Sequence, residues 1–309
     1  MRNAFAQVIT ELAATCPEVV LLSGDIGNRL FDRFKAAHPA RFYNGGVAEA
    51  NLVGVASGLA MNGFRPFVYT IASFITYRVV EQIRLDCAYH HQPVTLVGTG
   101  AGLSYASLGA THHTLEDIGM LRCIPSLKIL CPGDAVELRS LLPLILAQPD
   151  PVYLRIGKKG EPVVHQKKNL ALEIGRALPV REGRDAVILT TGNMLPVGVE
   201  TAGILTARGI STGALSFHTV KPLDEQTLAD CFASHRGVFT LEEHSVVGGF
   251  GTAVAEWLGE HPSPKAVFRR FGSPDAFIHE ATEQDHARKR FGLTPPQLAE
   301  QIEKILAKS

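Results

Sequence analysis

The sequence predicts an α/β fold of two domains, each a mainly parallel sheet flanked by helices. Short apolar runs alternate with longer amphipathic segments along most of the chain, which is the order of parallel α/β architecture. That rhythm breaks once, from Gly157-Lys-Lys-Gly-Glu-Pro to about residue 184, and then resumes. At 309 residues the chain also exceeds what one hydrophobic core usually organises. Domains are therefore placed at 1–165 and 186–309, joined by a linker over 166–185.

In the first domain the apolar runs 19–23, 66–71, 94–98, 127–131 and 152–156 read as strands. Helical segments separate them at about 3–14, 29–37, 47–62, 73–90, 114–122 and 134–147. The second domain reads as strands 186–191, 210–216, 238–241 and 267–271, with helices near 196–208, 224–234 and 249–260 and another from Pro295. Helix 47–62 is unusual. Apolar positions 52, 55, 56, 59 and 60 follow helical spacing, while Ala50, Gly54 and Gly58 make a second face of small residues. Two glycines inside a helix cost roughly 1 kcal/mol each relative to alanine, which close packing over that face would offset.

Composition narrows the function. Apolar residues at 46% and charged residues at 19% describe a soluble globular protein. A formal charge of zero, with no basic cluster interleaved with aromatics, argues against nucleic acid or an anionic membrane as partner. The N-terminal Met-Arg-Asn-Ala-Phe-Ala-Gln-Val reads as an amphipathic helix without the apolar core of a signal peptide, and no run reaches the ~18 apolar residues of a membrane span. Cys16, Cys87, Cys123, Cys131 and Cys231 lack C-x-x-C spacing and suit a reducing cytoplasm.

Four segments can carry chemistry. Glu49 stands at the front of helix 47–62, after the Asn44-Gly45-Gly46 turn. The macrodipole alone favours an acid there, yet the flanking glycines and the small-residue face suggest a carboxylate that is packed over. Phe74 and Tyr77 share a helix face after a strand's C-terminal end, where open α/β sheets bind ligands and aromatics stack on flat rings. Arg78 and Glu81 beside them read as a surface ion pair. The loop from Gly98 to Asp117 is rich in Gly, Ser and Ala and ends in His112-His113, the composition of an active-site loop. Its Gly98-x-Gly100-x-Gly102 lacks dinucleotide-binding spacing, and His112, His113 and Asp117 match no standard metal-ligand set. Arg155, Lys158 and Lys159 end a strand, as in a solvated exit or an anion site. Ser23-Gly-Asp25-Ile-Gly27-Asn28 lacks a Walker lysine, and Asp25 reads as a cap for the following helix.

In this order and spacing, these segments resemble the C-terminal section of transketolase over essentially the whole chain. The resemblance rests on Gly24-Asp25-x-Gly27, Val47-Ala-Glu49-x-Asn51, Ser73-Phe74-x-x-Tyr77-Arg78, Gly109-Ala-Thr-His112-His113 with Asp117, Arg122-x-Ile-Pro125, Pro132-x-Asp134-x-x-Glu137 and Tyr153-Leu-Arg155. In the second domain Leu241-Glu-Glu-His244-x-x-x-Gly248-Gly249-x-Gly251 and Arg270-Phe-Gly272 extend it.

It implies a thiamine-diphosphate enzyme transferring a two-carbon ketol unit between a small-molecule ketose and an aldose. Glu49 would hydrogen-bond the cofactor's aminopyrimidine ring nitrogen, Phe74 and Tyr77 would line that ring, and Asp25 would face the cationic cofactor. His112 would contact the reacting end of the sugar and Arg155 a substrate phosphate. The family's Gly-Asp-Gly motif with its downstream Asn, which holds Mg²⁺ and the diphosphate, is absent from this sequence. The resemblance therefore implies a split enzyme, active only with a separate N-terminal subunit that carries those ligands, as an α₂β₂ assembly. Between Gly98 and Thr111 this chain has Thr99, Ser104, Tyr105 and Ser107 where the family often has a further histidine and an acid. That difference points away from a standard pentose phosphate. The alternatives are 1-deoxyxylulose-5-phosphate synthase-like chemistry, a 2-oxo acid dehydrogenase β subunit, and a non-catalytic paralogue.

Overall fold

Strand Val19–Ser23 shows how the first domain is built, because its side chains alternate between two cores. Val20 and Leu22 join one apolar cluster, Val19 and Leu21 another, and the strand is buried throughout. A strand covered on both faces belongs inside a parallel sheet with helices on either side. The computed structural model bears this out over residues 1–27, 29–158, 160–167, 169–261 and 266–308, which it describes. Asn28 and Lys159, both singled out in the sequence, lie outside the described residues.

The strands in chain order are β1 Val19–Ser23, β2 Phe42–Asn44, β3 Arg65–Ile71, β4 Thr95–Thr99, β5 Lys128–Leu130, β6 Val152–Ile156, β7 Leu178–Arg181, β8 Ala186–Thr190, β9 Thr212–Ser216, β10 Thr219–Lys221, β11 Gly237–Ser245 and β12 Val267–Ser273. The first sheet has the order β10-β5-β6-β4-β3-β1-β2, and all its pairs are parallel except β10 with β5. The second has the order β12-β11-β8-β9-β7, with β7 antiparallel to β9. One face of the first sheet packs on helix Arg2–Thr15 and helix Ala135–Leu146 through Phe5, Ile9, Leu138, Leu141 and Leu142. The other face shares a continuous core with the second domain, from Leu52, Val53 and Ile75 to Val187, Leu189, Phe217 and Phe250. Helices Leu195–Ala207 and Pro295–Leu306 cover the far side of the second sheet.

The expected elements are present; strand β2 and a helix over Gln284–Arg290 are added to them, and five further differences stand out. Segment 73–90 is not one helix: it breaks after Tyr77, restarts at Val80 and continues as a wide π turn over Ile83–Tyr89. Segment 114–122 is helical only over Asp117–Arg122, and β11 runs four residues beyond its expected end, to Ser245. Strand β7 lies inside the segment read as linker, and β10 crosses from the second half of the chain into the first sheet. Neither edge strand has enough apolar residues to announce itself.

Helix Glu49–Met61 is rotated from its expected orientation. Its buried positions are 49, 52, 53, 56, 57 and 60, so Val55 is exposed, and Ser57 takes its place inward by donating its hydroxyl to the Asp86 carbonyl at 2.6 Å. The small-residue face is open within this chain. A Cβ at Gly58 would meet nothing, and one at Gly54 only an Asp86 oxygen at 4.0 Å.

Asp134 ties the connecting segment to the first domain. Its Oδ1 accepts from Val136 N (2.8 Å) and Glu137 N (2.9 Å), capping helix Ala135–Leu146, while Oδ2 accepts from Val164 N (2.9 Å) and His165 N (3.1 Å). Asp134→Ala leaves four amides without this acceptor and is expected to cost about 3 kcal/mol. A urea titration checks it: the midpoint falls at unchanged m-value.

Candidate active site

The C-terminal edge of the first sheet gathers the candidate residues. Asp25 follows β1, Glu49 follows β2, Phe74 and Tyr77 follow β3, and the loop ending at His112 follows β4. Parallel strands deliver their following loops to one edge, which is where such sheets bind ligands.

Glu49 is 4% exposed, at the first position of its helix. Its Oε2 accepts from Arg78 Nη1 at 3.1 Å, and among the described residues no donor reaches Oε1. Arg78 thus pairs with Glu49 rather than with Glu81, because the helix break after Tyr77 turns it toward the sheet edge. The same guanidinium lies over the Phe74 ring, 3.9 Å from its centroid. Phe74 meets the His112 imidazole edge-to-face at 5.1 Å, His112 meets Tyr105 at 5.9 Å, and Lys158 lies over Tyr105 at 4.4 Å. Three rings therefore run in a row between two cations, with the buried carboxyl at the Arg78 end.

Thr111 Oγ1 and His112 Nδ1 are hydrogen-bonded at 2.9 Å. Burial lowers the His112 pKa below the usual histidine value, and the charges of Arg78 and His113 lower it further. The ring is thus neutral near pH 7. Tyr77 donates its hydroxyl to Glu116, and the Glu116 amide donates back to the Tyr77 oxygen at 3.3 Å. Burial pushes the Tyr77 phenol far up, with Asp117 and Glu116 adding to the effect. Asp25 is exposed with φ 56° and accepts from Asn44 Nδ2 at 2.9 Å. It caps no helix, since the next one begins only at Asp32.

Arg155 departs from the expectation of a substrate-phosphate contact. Its side chain is 3% exposed, with Nε donating to Asp117 Oδ2 at 2.7 Å and Nη2 to the carbonyls of Thr114 and Glu243 at 3.0 Å each. A guanidinium committed to a buried carboxylate and two carbonyls is a structural tie between the domains. The charged group on the His112 side is instead Lys158. His112, His113 and Asp117 do not converge: His113 Nε2 lies 3.3 Å from the Ala106 carbonyl, and Asp117 serves Arg155 and Tyr153. Among the described residues no group of three or more His, Cys, Asp or Glu is placed to hold a metal ion.

The motif around Glu242-Glu243-His244 acquires physical roles that its sequence did not disclose. Glu242 accepts from Phe250 N and Gly251 N at 2.7 Å each, capping helix Phe250–Glu260 from the neighbouring strand. A Cβ at Gly249 would overlap that carboxylate, so the approach requires glycine. Glu243 points to the opposite face of β11, toward the His112 loop, and His244 Nε2 accepts from Gly119 N of the first domain at 3.2 Å. The Glu243 and His244 contacts are long-range, and spacing within one motif carries no signal of them.

Residues 1–161 match the model of the transketolase pyrimidine-binding domain, and residues 175–298 that of the transketolase C-terminal domain. The chain belongs to the transketolase family. It is 36% identical to the 6-deoxy-6-sulfo-D-fructose transketolase subunit SqwH of Clostridium sp. (strain MSTE9), covering 96% of this chain and 92% of that relative. An apulose-4-phosphate transketolase subunit of Phocaeicola vulgatus is 34% identical over 89% of this chain and 87% of its own length. A solved split-gene transketolase, an inactive β4 tetramer, superposes with a TM-score of 0.89 at 32% identity, covering 99% of this chain and 97% of that one. Several 1-deoxy-D-xylulose-5-phosphate synthases also match, and the chain spans about half the length of each. Both domains of the transketolase C-terminal section are therefore present, in the family order.

The row of rings predicts a specific titration. In the folded chain His112 binds its proton below the usual pH, whereas the unfolded chain binds it at the usual value. Its contribution to stability is therefore full above that value and declines as pH falls through it. NMR titration of His112 should give a midpoint below the ordinary 6.5, and Arg78→Ala should move it upward by removing one of the charges that depress it.

Proposed function

We propose that this chain is the pyrimidine-binding and C-terminal half of a split transketolase. It moves a two-carbon ketol unit from a ketose to an aldose, together with a separate subunit that carries the diphosphate- and Mg²⁺-binding domain. The buried Glu49 carboxyl carries the reading. It has one oxygen held by Arg78 and the other without a described donor, and it lies on a chain matched nearly end to end by relatives named as transketolase subunits.

The residues fit thiamine diphosphate. Glu49 has an oxygen free to hydrogen-bond a ring nitrogen, and the half-buried Phe74 ring, sharing Arg78 with Glu49, offers an apolar face to a pyrimidine. Once bound, the cofactor supplies the nucleophilic carbon and the electron sink for carbon–carbon cleavage. Glu49 holds and exchanges a proton at Oε1, in a site where low water content strengthens each such contact. Arg78 fixes the carboxyl's orientation. Phe74 and Tyr77 wall the ring side, and Asp25 faces the cationic cofactor from the end of β1. His112, neutral at working pH, hydrogen-bonds the sugar at its reacting end. Lys158 meets an anionic tail of the substrate beyond Tyr105.

An α₂β₂ assembly suits the open face of helix Glu49–Met61. Val55 at 45% and Met61 at 55% exposure flank Gly54 and Gly58 there, and Val47, just ahead of the helix, is 75% exposed. An apolar strip of this kind beside a half-built site is what a partner subunit covers.

The test combines the chain with a subunit bearing Gly-Asp-Gly and a downstream Asn, plus thiamine diphosphate and Mg²⁺. Ketol transfer from a ketose phosphate by the mixture, and by neither chain alone, is the expected result. Turnover of pyruvate without a ketose overturns it in favour of synthase-like chemistry. Glu49→Gln should lower kcat by more than about 100-fold while light scattering shows the same assembly mass.

A further inference from the structure

We infer that Glu243, a residue of the C-terminal domain, is a positioning residue for the His112 loop; its effect on the reaction rests on the proposed function above. The loop is closed at its foot by two backbone hydrogen bonds between Gly102 and Thr114, at 3.1 and 3.0 Å. The loop between them, Tyr105 and His112 included, starts and ends at that closure, and Ser73 Oγ donates to the Thr111 carbonyl at 3.2 Å near its far end. Glu243 fixes the closure from the other domain. Its side chain is 1% exposed, and Oε1 accepts from Leu103 N at 2.8 Å, the first loop residue past the closure. The same oxygen accepts from Asn193 Nδ2 at 2.8 Å and Gln284 Nε2 at 2.9 Å, while Oε2 takes Arg288. The backbone joins in: the Glu243 carbonyl and the Thr114 carbonyl share the Nη2 of Arg155.

Two further observations make this a fitted contact. Gly102 has φ +64°, and a Cβ there would overlap the Glu243 carboxylate, so the loop backbone lies directly on the acid. Beyond the carboxylate, Leu103, Ala106 and Leu115 pack with Ile278 and Ala287 in a small separate apolar cluster. The loop thus rests on the second domain through one charged hub, one apolar patch and a backbone hydrogen bond from Thr282 N to the Ala106 carbonyl at 3.4 Å. A buried carboxylate satisfied by this many donors has one geometry, and that geometry fixes the register of the loop carrying His112.

The experiment uses Glu243→Gln, which keeps the side chain's size but loses the charge and one acceptor. Hydrogen exchange on the isolated chain should show amides of 102–114 exchanging roughly 10-fold faster, with both sheets still protected. In the reconstituted enzyme kcat should fall about 10- to 100-fold, the scale of a displaced contact at the reacting centre. The apparent affinity for thiamine diphosphate should stay within about twofold, since Glu49, Phe74 and Arg78 sit on other elements. Arg288→Ala, which removes only the opposing cation, provides the same reading from the outside and should move both quantities less. Unchanged exchange over 102–114 overturns the inference, as does opening of the second sheet to the same extent or a joint loss of kcat and cofactor affinity. If the wild-type mixture transfers no ketol unit, the proposed function fails, while the exchange measurement still decides the positioning role.

Discussion

The Arg155 guanidinium holds both sheets and the foot of the His112 loop in one hydrogen-bonded unit. Burial works most strongly against its charge, but the Asp117 carboxylate and the other groups around it together outweigh that and keep it firmly protonated. Two charges removed from water are tolerated because each finds partners: Arg155 has Asp117 and two carbonyls, and Asp117 also accepts the Tyr153 hydroxyl at 2.7 Å. Such a pair adds little net stability compared with well-packed apolar residues, yet removing one member costs about 3–5 kcal/mol. Its contribution is therefore to specify geometry. Strands β4, β6 and β11 and the loop after β4 can meet in only one arrangement.

Strand β11 extends that constraint. Three consecutive polar residues, all buried, point alternately to the two faces of the sheet and make contacts of different kinds. Glu242 closes a helix terminus within its own domain, Glu243 grips the loop of the other domain, and His244 accepts an amide from the helix after that loop. Burial raises the Glu242 pKa, against which His244 and the two helix amides work. The second domain is thus a brace for the first. Without it the loop bearing His112 would lose its hub and its apolar cushion together.

Much of this was legible in the sequence, for identifiable reasons. Buried parallel strands announce themselves as β-branched and leucine-rich runs, and β1 and β6 stand where their apolar residues place them. Glu49, Phe74 and His112 were visible because strand-end positions and a glycine-rich loop are local signals. Illegible features depend on distant neighbours. The pairing of Arg78 with Glu49 follows from a helix break that apolar periodicity does not mark, and Ser57 faces inward only because the Asp86 carbonyl is there to receive it. Arg155 shows the limit most sharply. Three cations at a strand exit look like an anion site, and only the fold reveals that the first of them is enclosed by Asp117, Thr114 and Glu243.

Strand β10 has a consequence for how the chain is made. Residues Thr219–Lys221 complete the first sheet by lying antiparallel to β5, whose strand partners on either side are then β6 and β10. A ribosome delivers β5 long before β10. Until residue 221 has emerged, Lys128–Leu130 remains an unpaired sheet edge on an otherwise assembled domain, a template for pairing with another nascent chain. The order of synthesis and the order of the sheet therefore conflict over some ninety residues (131–218 separate the two strands). During that interval the edge of β5 is the part of the chain most open to pairing with another strand.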